Sequence, residues 1–164
     1  INIQRKAMVK IFCDMDGVLV DLMGSIKKHL GTIKLNQGVI DGFFHGEAGT
    51  GTEFWAEAGW ESGGKQLWRF IKQYKPQILS ACPSVCGNDE KVIKGKVLWC
   101  HSNLRIQKNQ VNIVQRKDKK NYASKDIILI DDHKKNIREW ESAGGTGILH
   151  VNTNSTIKQL KGLL

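Results

Sequence analysis

The sequence predicts an α/β fold in which a parallel β-sheet is flanked by helices. Short runs of aliphatic residues recur along the chain, segments with helical periodicity lie between them, and polar residues or glycines follow the runs directly. Strands that alternate with helices form parallel sheets covered on both faces. Ligands bind beyond the carboxyl ends of such strands, so the polar residues at these positions are candidates for function.

Five segments are predicted to form strands. Each is a short apolar run that ends near a polar residue or a glycine, which is typical of a buried strand. They are MVKIFC at 8–13, QILSA at 77–81, VNIVQ at 111–115, IILI at 127–130 and GILHV at 147–151. The fold is expected to begin at Met8, with residues 1–7 upstream of it.

Helical periodicity predicts three helices. Apolar residues at spacings of three and four favour a helix over 67–74, and similar spacings indicate another at 157–164. Asn154 or Ser155 is the candidate N-cap of the latter, because both side chains can accept a hydrogen bond from the first turn. The segment NIREWESAGG at 136–145 ends in glycines, as helices commonly do.

Residues 31–64 do not fit this alternation. They are rich in glycine and aromatic residues and show little periodicity, and eight of the twelve aromatic residues lie between positions 43 and 74. We therefore predict a small helical cap, inserted after the first strand at 24–75, within a single domain that spans 8–164.

The composition is that of one globular domain without membrane contact. The chain has 164 residues, of which 40% are hydrophobic and 25% charged. No apolar run approaches the roughly 18 residues that span a bilayer, and the N-terminal stretch INIQRKAMVK lacks the apolar segment of a signal peptide. We expect a cytoplasmic protein. Its four cysteines show no paired CxxC spacing, so we expect buried thiols rather than a zinc site or disulfides.

Positive charge is concentrated in one part of the chain. The net charge is +9, and residues 104–138 contain ten Lys or Arg against four Asp. A solvated basic face is the simplest interpretation, but such a field also attracts anionic small molecules or nucleic acid.

Acidic, hydroxyl and lysine side chains follow the predicted strands. Asp14 and Asp16 come after the first strand and lie two positions apart, so their carboxylates face the same side and repel each other unless a metal or a shared proton lies between them. Ser80 ends the second strand, Asp131 and Asp132 follow the fourth, and a lysine-rich loop lies between the third and fourth. This set suits a phosphate ester with Mg²⁺, which prefers oxygen ligands.

The order of these residues resembles the haloacid dehalogenase (HAD) superfamily of phosphohydrolases. Its four motifs correspond to DMDGV at 14–18, ILSA at 78–81, a lysine in DKKNYA at 118–123, and ILIDD at 128–132. Within the superfamily the chain is most similar to the 5'(3')-deoxyribonucleotidases, through DMDGVLVD and DDHKKNIREWESAGGTGILH. The resemblance implies a Rossmann-like HAD core with a small helical cap.

The resemblance also implies roles for the acidic residues. Asp14 would be the nucleophile that forms an aspartyl-phosphate, and Asp16 would be the general acid and then the general base. Mg²⁺ would be held by the Asp14 carboxylate, the Asp16 backbone carbonyl and the Asp132 carboxylate. Asp131 would orient these groups rather than bind the ion directly.

Phosphate contacts follow from the same resemblance. The Ser80 hydroxyl and the Ala81 backbone N–H would bind phosphate oxygens. Lys119 is the candidate phosphate-clamping lysine, with Lys117 and Lys120 as alternatives.

Substrate contacts are expected from the cap. The segment EFWAEAGWESGGKQLW at 53–68 is similar to the family's cap-to-core segment, which makes Phe54 and Trp55 candidates to flank a nucleobase. Leu22 occupies a position where the family usually has an aromatic residue, and the segment 31–52 departs from the family pattern.

The leading functional hypothesis is a Mg²⁺-dependent phosphatase that hydrolyses nucleoside monophosphates, with deoxyribonucleoside monophosphates as the favoured class. The alternative is a phosphatase that acts on nucleic-acid 3'-phosphate ends or on another small phosphate ester. The basic segment favours the nucleic-acid ends. A receiver-type signalling domain is disfavoured because its acid pair follows the first strand, whereas here the acid pair follows the fourth. A binding module without catalysis is disfavoured because every expected catalytic residue type is present.

Overall fold

The computed structural model describes residues 9–164, and this part of the chain forms a five-stranded parallel sheet. All five predicted strands are confirmed within two residues of their expected ends, although Met8 and residues 1–7 lie outside the described residues. The strands are β1 (Lys10–Cys13), β2 (Gln77–Ala81), β3 (Val111–Val114), β4 (Ile127–Asp131) and β5 (Thr146–Leu149).

Helices surround this sheet. The three predicted helices are confirmed as α4, continued by a 3₁₀ turn at Lys72–Tyr74, and as α6 and α7. Within residues 9–164, no helix is long and apolar enough to cross a membrane. The α-helices are α1 (Leu22–Leu30), α2 (Gln37–His45), α3 (Thr52–Ala56), α4 (Gly64–Ile71), α5 (Glu90–Leu104), α6 (Lys134–Ser142) and α7 (Thr153–Leu163).

The sheet has the order β3-β2-β1-β4-β5, with every neighbouring pair parallel. The register pairs Cys13 at the end of β1 with Ile78 on one side and Ile130 on the other. Because β1 is central, the residues that follow β2, β1 and β4 meet at one edge of the sheet. This topology confirms the predicted α/β class with a parallel sheet.

Alternation along the strands divides the core into two layers. Ile11 and Cys13 of β1 face a layer built with α4, α5 and α7, which includes Trp99. Phe12 faces the opposite layer, where Trp140 of α6 packs against it. Side chains of a strand point alternately to the two faces, so both sides of this sheet are covered.

A third apolar cluster lies in the segment predicted as the cap. Phe43 and Phe44 of α2, Trp55 of α3 and Ile26 of α1 are buried together, and Val92 of α5 joins them. The cap therefore rests on the first turns of α5. The exact bounds of the cap, 24–75, stay a prediction.

Two local expectations need correction, and one helix has no counterpart among the predictions. The N-cap of α7 is neither Asn154 nor Ser155 but Asn152, whose Oδ1 accepts a hydrogen bond from the Ser155 backbone N–H at 2.8 Å. The segment predicted as a lysine-rich loop forms a 3₁₀ helix over Arg116–Tyr122. Helix α5, the longest in the described chain, was not predicted from the sequence.

Candidate active site

The loop after β1 carries Asp14 and Asp16, the two acidic residues that lie two positions apart in the sequence. The Asp14 N–H still donates to the Ile130 carbonyl of β4 at 2.9 Å, so Asp14 extends the strand. The chain then turns tightly, because the backbone N–H groups of Val18, Leu19 and Val20 all donate to the Met15 carbonyl. This turn fixes both carboxylates close to the sheet edge.

Gly17 lets the Asp132 carboxylate approach this turn. Its φ of 80° lies in the left-handed region that favours glycine, and a Cβ at this position would overlap the Asp132 side chain. The acids after β1 and β4 therefore form one group, as the sheet order requires.

The Asp131 carboxylate is fixed in this acidic group by three hydrogen bonds. Its side chain is fully buried, its Oδ1 accepts from the His133 N–H at 2.8 Å, and its Oδ2 accepts from Lys119 Nζ at 2.8 Å and Asn136 Nδ2 at 3.0 Å. Both oxygens are thus engaged by protein donors. The predicted orienting role of Asp131 is compatible with these contacts.

Lys119 lies between two acids. Its Nζ is 3.1 Å from Asp14 Oδ1 and 2.8 Å from Asp131 Oδ2, and the side chain is buried, whereas Lys117 and Lys120 are exposed. Burial alone would lower the pKa of Lys119, but the Asp14 and Asp131 carboxylates outweigh it and raise the pKa above its ordinary value. Lys119 is therefore a fixed positive charge beside Asp14.

The carboxylates of Asp14, Asp131 and Asp132 suit a divalent cation. One oxygen from each lies within 4.8 Å of the others. Burial raises the pKa of Asp14 to about 7 against the opposing effect of Lys119, and partial desolvation together with the Asp131 charge raises the pKa of Asp132 to about 6. Crowded oxygen donors of this kind match the preference of Mg²⁺. Since Asp131 is already engaged, Asp14 and Asp132 are the carboxylates that could hold the ion.

A second lysine contacts the other acid of the loop. Lys96 of α5 is completely buried, and its Nζ lies 2.7 Å from Asp16 Oδ2 and 3.1 Å from Ser80 Oγ. Sequence reasoning missed Lys96, because it lies inside a helix 80 residues from Asp16 rather than after a strand. Ser80 itself is fully buried, and Ala81 follows it at the same sheet edge.

The two predicted base-stacking residues face different surroundings. Trp55 is only 2% exposed, stacks on Phe44 with a centroid separation of 5.8 Å, and donates its indole N–H to the Gly49 carbonyl. Phe54 is partly buried and lines a cavity of about 970 Å³ between α1 and α3. The two rings are nearly perpendicular, at 85°, so the pair does not form one continuous face, and Trp55 has almost no exposed surface.

The remaining predicted contact, Leu22, is the first residue of α1 and packs against the cap cluster together with Phe54. None of Asp14, Asp16, Ser80 and Lys119 lines the cavity beside Phe54. The structure thus brings together the predicted catalytic, metal and phosphate residues, while the predicted base contacts lie in the cap.

Comparison with known proteins identifies the fold. No protein-family model and no curated protein matches the sequence. Among solved structures, a HAD-superfamily hydrolase from Ehrlichia chaffeensis superposes with a TM-score of 0.51 at 11% identity, over 94% of this chain and 97% of that one. A hydrolase from Pseudomonas syringae gives a TM-score of 0.48 at 11% identity, over 92% of this chain and 89% of that one. The first of these superpositions shows that the chain has a Rossmann-like α/β fold similar to that of HAD-superfamily hydrolases.

Proposed function

We propose that this protein is a Mg²⁺-dependent phosphatase that hydrolyses nucleoside monophosphates, with deoxyribonucleoside monophosphates as the favoured class. The observation that carries the proposal is the position of Asp14, a buried carboxylate beside Lys119 and grouped with Asp131 and Asp132 at the sheet edge. Phosphoryl transfer needs a nucleophile surrounded by fixed positive charge, because negative charge accumulates on the phosphate oxygens.

The first half of the proposed reaction transfers the phosphoryl group to Asp14. Asp14 Oδ1 is contacted by the Met15 N–H at 2.8 Å and by Lys119 Nζ at 3.1 Å. The other carboxylate oxygen of Asp14, Oδ2, is left to attack phosphorus. The bond from phosphorus to the ester oxygen breaks as the aspartyl-phosphate forms, and the leaving oxygen takes a proton from Asp16. Lys119 and the Ser80 hydroxyl hold the phosphate oxygens.

The second half returns the enzyme to its starting state. Asp16, now a carboxylate, accepts a proton from water as that water attacks phosphorus, and the bond between phosphorus and Asp14 breaks to release phosphate. Mg²⁺ bound by Asp14, the Asp16 carbonyl and Asp132 would supply charge neutralisation to the phosphate and the acids.

The nucleotide assignment is supported by the sequence resemblance to 5'(3')-deoxyribonucleotidases and by the position of Trp55, whose ring centroid lies 4.8 Å from Nζ of Lys96, the lysine that contacts Asp16. A second candidate, hydrolysis of 3'-phosphates at nucleic-acid ends, is favoured by exposed basic residues next to the catalytic group. Lys117 and Lys120 flank Lys119, and Lys134 and Lys135 follow Asp132 closely. Such a rim could contact several phosphates of a polynucleotide.

The test is phosphate release from nucleoside 5'- and 3'-monophosphates, sugar phosphates and a 3'-phosphorylated oligonucleotide, with Mg²⁺ and with EDTA. We expect Mg²⁺-dependent turnover concentrated on deoxyribonucleoside monophosphates, and none from Asp14→Asn. The matched control is Asp126→Asn, since Asp126 is exposed and its φ of 65° is one that Asn also adopts.

Each result discriminates between the candidates. Turnover confined to the oligonucleotide, with inhibition by polynucleotides that weakens steeply as salt rises, would replace the nucleotide assignment with the second candidate. Turnover that survives in Asp14→Asn would contradict the aspartyl-phosphate chemistry itself.

A further inference from the structure

Lys96 is a buried charge that the reaction outlined above does not use. Its side chain has no exposed surface, and Nζ contacts Asp16 and Ser80 while lying 4.8 Å from the centroid of the Trp55 ring. Lysine is almost never fully buried unless it is paired, and replacing a buried ion pair by apolar groups of similar volume is often neutral or stabilising. Folding alone therefore does not account for a lysine at this position.

Lys96 reaches the site because helices α3 and α5 cross closely. Helix α5 buries the stripe Val92, Gly95, Lys96 and Trp99, and a Cβ on Gly95 would lie 2.5 Å from the Thr52 carbonyl oxygen of α3. The missing side chain at Gly95 lets α3 approach α5, and Lys96 follows immediately. The ammonium is thereby enclosed by the β1 loop, the end of β2 and the cap helix.

The contacts of Lys96 distinguish the two oxygens of Asp16. Oδ2 accepts from Lys96 Nζ at 2.7 Å. The Asp16 side chain is 22% exposed as a whole, but Oδ1 is buried and is the one buried side-chain nitrogen or oxygen in residues 9–164 without a hydrogen-bond partner. An unpaired buried acceptor costs about 1–3 kcal/mol, and a catalytic role is one of the explanations for such a group in a native structure.

We propose that Lys96 is a positioning residue of the reaction, which holds Asp16 through Oδ2 so that Oδ1 exchanges the proton with the leaving group and with water. The inference rests on the proposed function and deepens it. Oδ1 gives its proton to the ester oxygen as the phosphorus–oxygen bond breaks, and it takes a proton from the attacking water in the second half. Oδ2 accepts from Lys96 throughout.

The test uses two substrates that differ in their need for a proton. A nucleoside monophosphate releases an alkoxide, which must be protonated, whereas 4-nitrophenyl phosphate releases a stable phenolate. The nucleoside or 4-nitrophenolate formed is measured in the first turnover, with enzyme in excess over substrate. Only the step in which the leaving group departs is then observed. The variants are Lys96→Met and Asp16→Asn, and the control is Lys94→Met, the same change at an exposed position of α5.

We expect Lys96→Met to slow the first turnover of the nucleoside monophosphate about 100-fold, a typical contribution of general acid catalysis. The loss with 4-nitrophenyl phosphate should stay within about 10-fold, because only general acid catalysis is removed. Asp16→Asn should show the same contrast between the two substrates. The double variant, which combines Lys96→Met with Asp16→Asn, should be no slower than Asp16→Asn alone. Lys94→Met should resemble the wild type. Lys96→Gln, which keeps a donor, should fall between Lys96→Met and the wild type.

Other outcomes have definite meanings. Equal losses on both substrates, or additive losses in the double variant, would overturn the positioning role. If Lys96→Met does not fold, as judged by circular dichroism, the contrast between substrates in Lys96→Gln decides. A wild-type enzyme without activity on either substrate would overturn the proposed function, a result distinct from an active enzyme in which the Lys96 variants show no contrast.

Discussion

Two buried lysines, Lys119 and Lys96, contact different acids of the loop after β1. Lys119 is held by Asp14 and Asp131, and Lys96 is held by Asp16. Removing an ammonium from water costs several kcal/mol, and pairing offsets this cost only when the geometry is favourable. Two such groups at one sheet edge add positive charge to a site that is otherwise acidic, which is what a phosphate dianion requires.

Lys119→Met is expected to lower kcat about 100-fold or more, because it removes fixed charge beside the transferring phosphoryl group. Two buried carboxylates lose their partner, so the melting temperature should also fall. The comparison is Lys120→Met, an exposed neighbour, with phosphate release measured well below the melting temperature of each variant. Near-normal turnover in Lys119→Met together with a loss in Lys120→Met would transfer the clamping role to Lys120.

At the level of single residues, the sequence predicted the groups whose position follows from strand ends. Asp14, Asp131 and Ser80 lie at the sheet edge because each is at or next to the end of a parallel strand. The resemblance indicates Lys119 among three neighbouring lysines, and the burial of Lys119 distinguishes it from the other two. Lys96 could not be predicted, since its contact with Asp16 depends on how α5 packs.

Among the elements, the crossing of α3 and α5 decides how the cap rests on the sheet domain. It is closest at Gly95, where a Cβ would approach both the Thr52 carbonyl oxygen, at 2.5 Å, and Trp55 Cβ, at 2.6 Å. Backbone atoms cannot yield as a flexible side chain can. Any side chain at position 95 therefore separates the cap helix from the helix that carries Lys96.

Gly95→Ala is expected to destabilise the protein by about 1–3 kcal/mol through overpacking, although alanine is the better helix former by about 1 kcal/mol. Gly42→Ala in α2 provides the matched control, because a Cβ there meets nothing within 4 Å. It should stabilise the protein by up to about 1 kcal/mol. Urea unfolding of both variants measures the two effects, and a stabilised Gly95→Ala would mean that the helices are not in close contact.

Element prediction succeeded for the strands and failed for helix α5, which packs on them. The strands were recognisable because they are short apolar runs bounded by polar residues. Helix α5 has the spacing of a buried stripe, but Gly95 and Lys96 occupy two of its positions and remove the apolar signal. Helix α1 buries only Ile26, so it gives little periodicity.

On the scale of the whole molecule, positive charge surrounds an acidic centre. The net charge is +9, and exposed lysines flank Lys119 and follow Asp132 closely in the sequence. This arrangement favours anionic substrates. The fold itself does not specify the substrate, since one fold supports many activities, so the cap and the basic rim are the regions where substrate choice must be tested.

Cation binding should be visible in the global stability of the protein. A ligand that binds only the native state stabilises it by mass action, by about 2.7 kcal/mol at 100 times its Kd, which corresponds to a rise in melting temperature of about 5–10 °C for a protein of this size. We expect this rise with MgCl₂ but not with NaCl at equal ionic strength. Asp132→Asn should lose most of the rise, because one of the two available carboxylates is gone, whereas Asp126→Asn should keep it. An equal rise in wild type and Asp132→Asn would exclude Asp132 as a ligand of the cation.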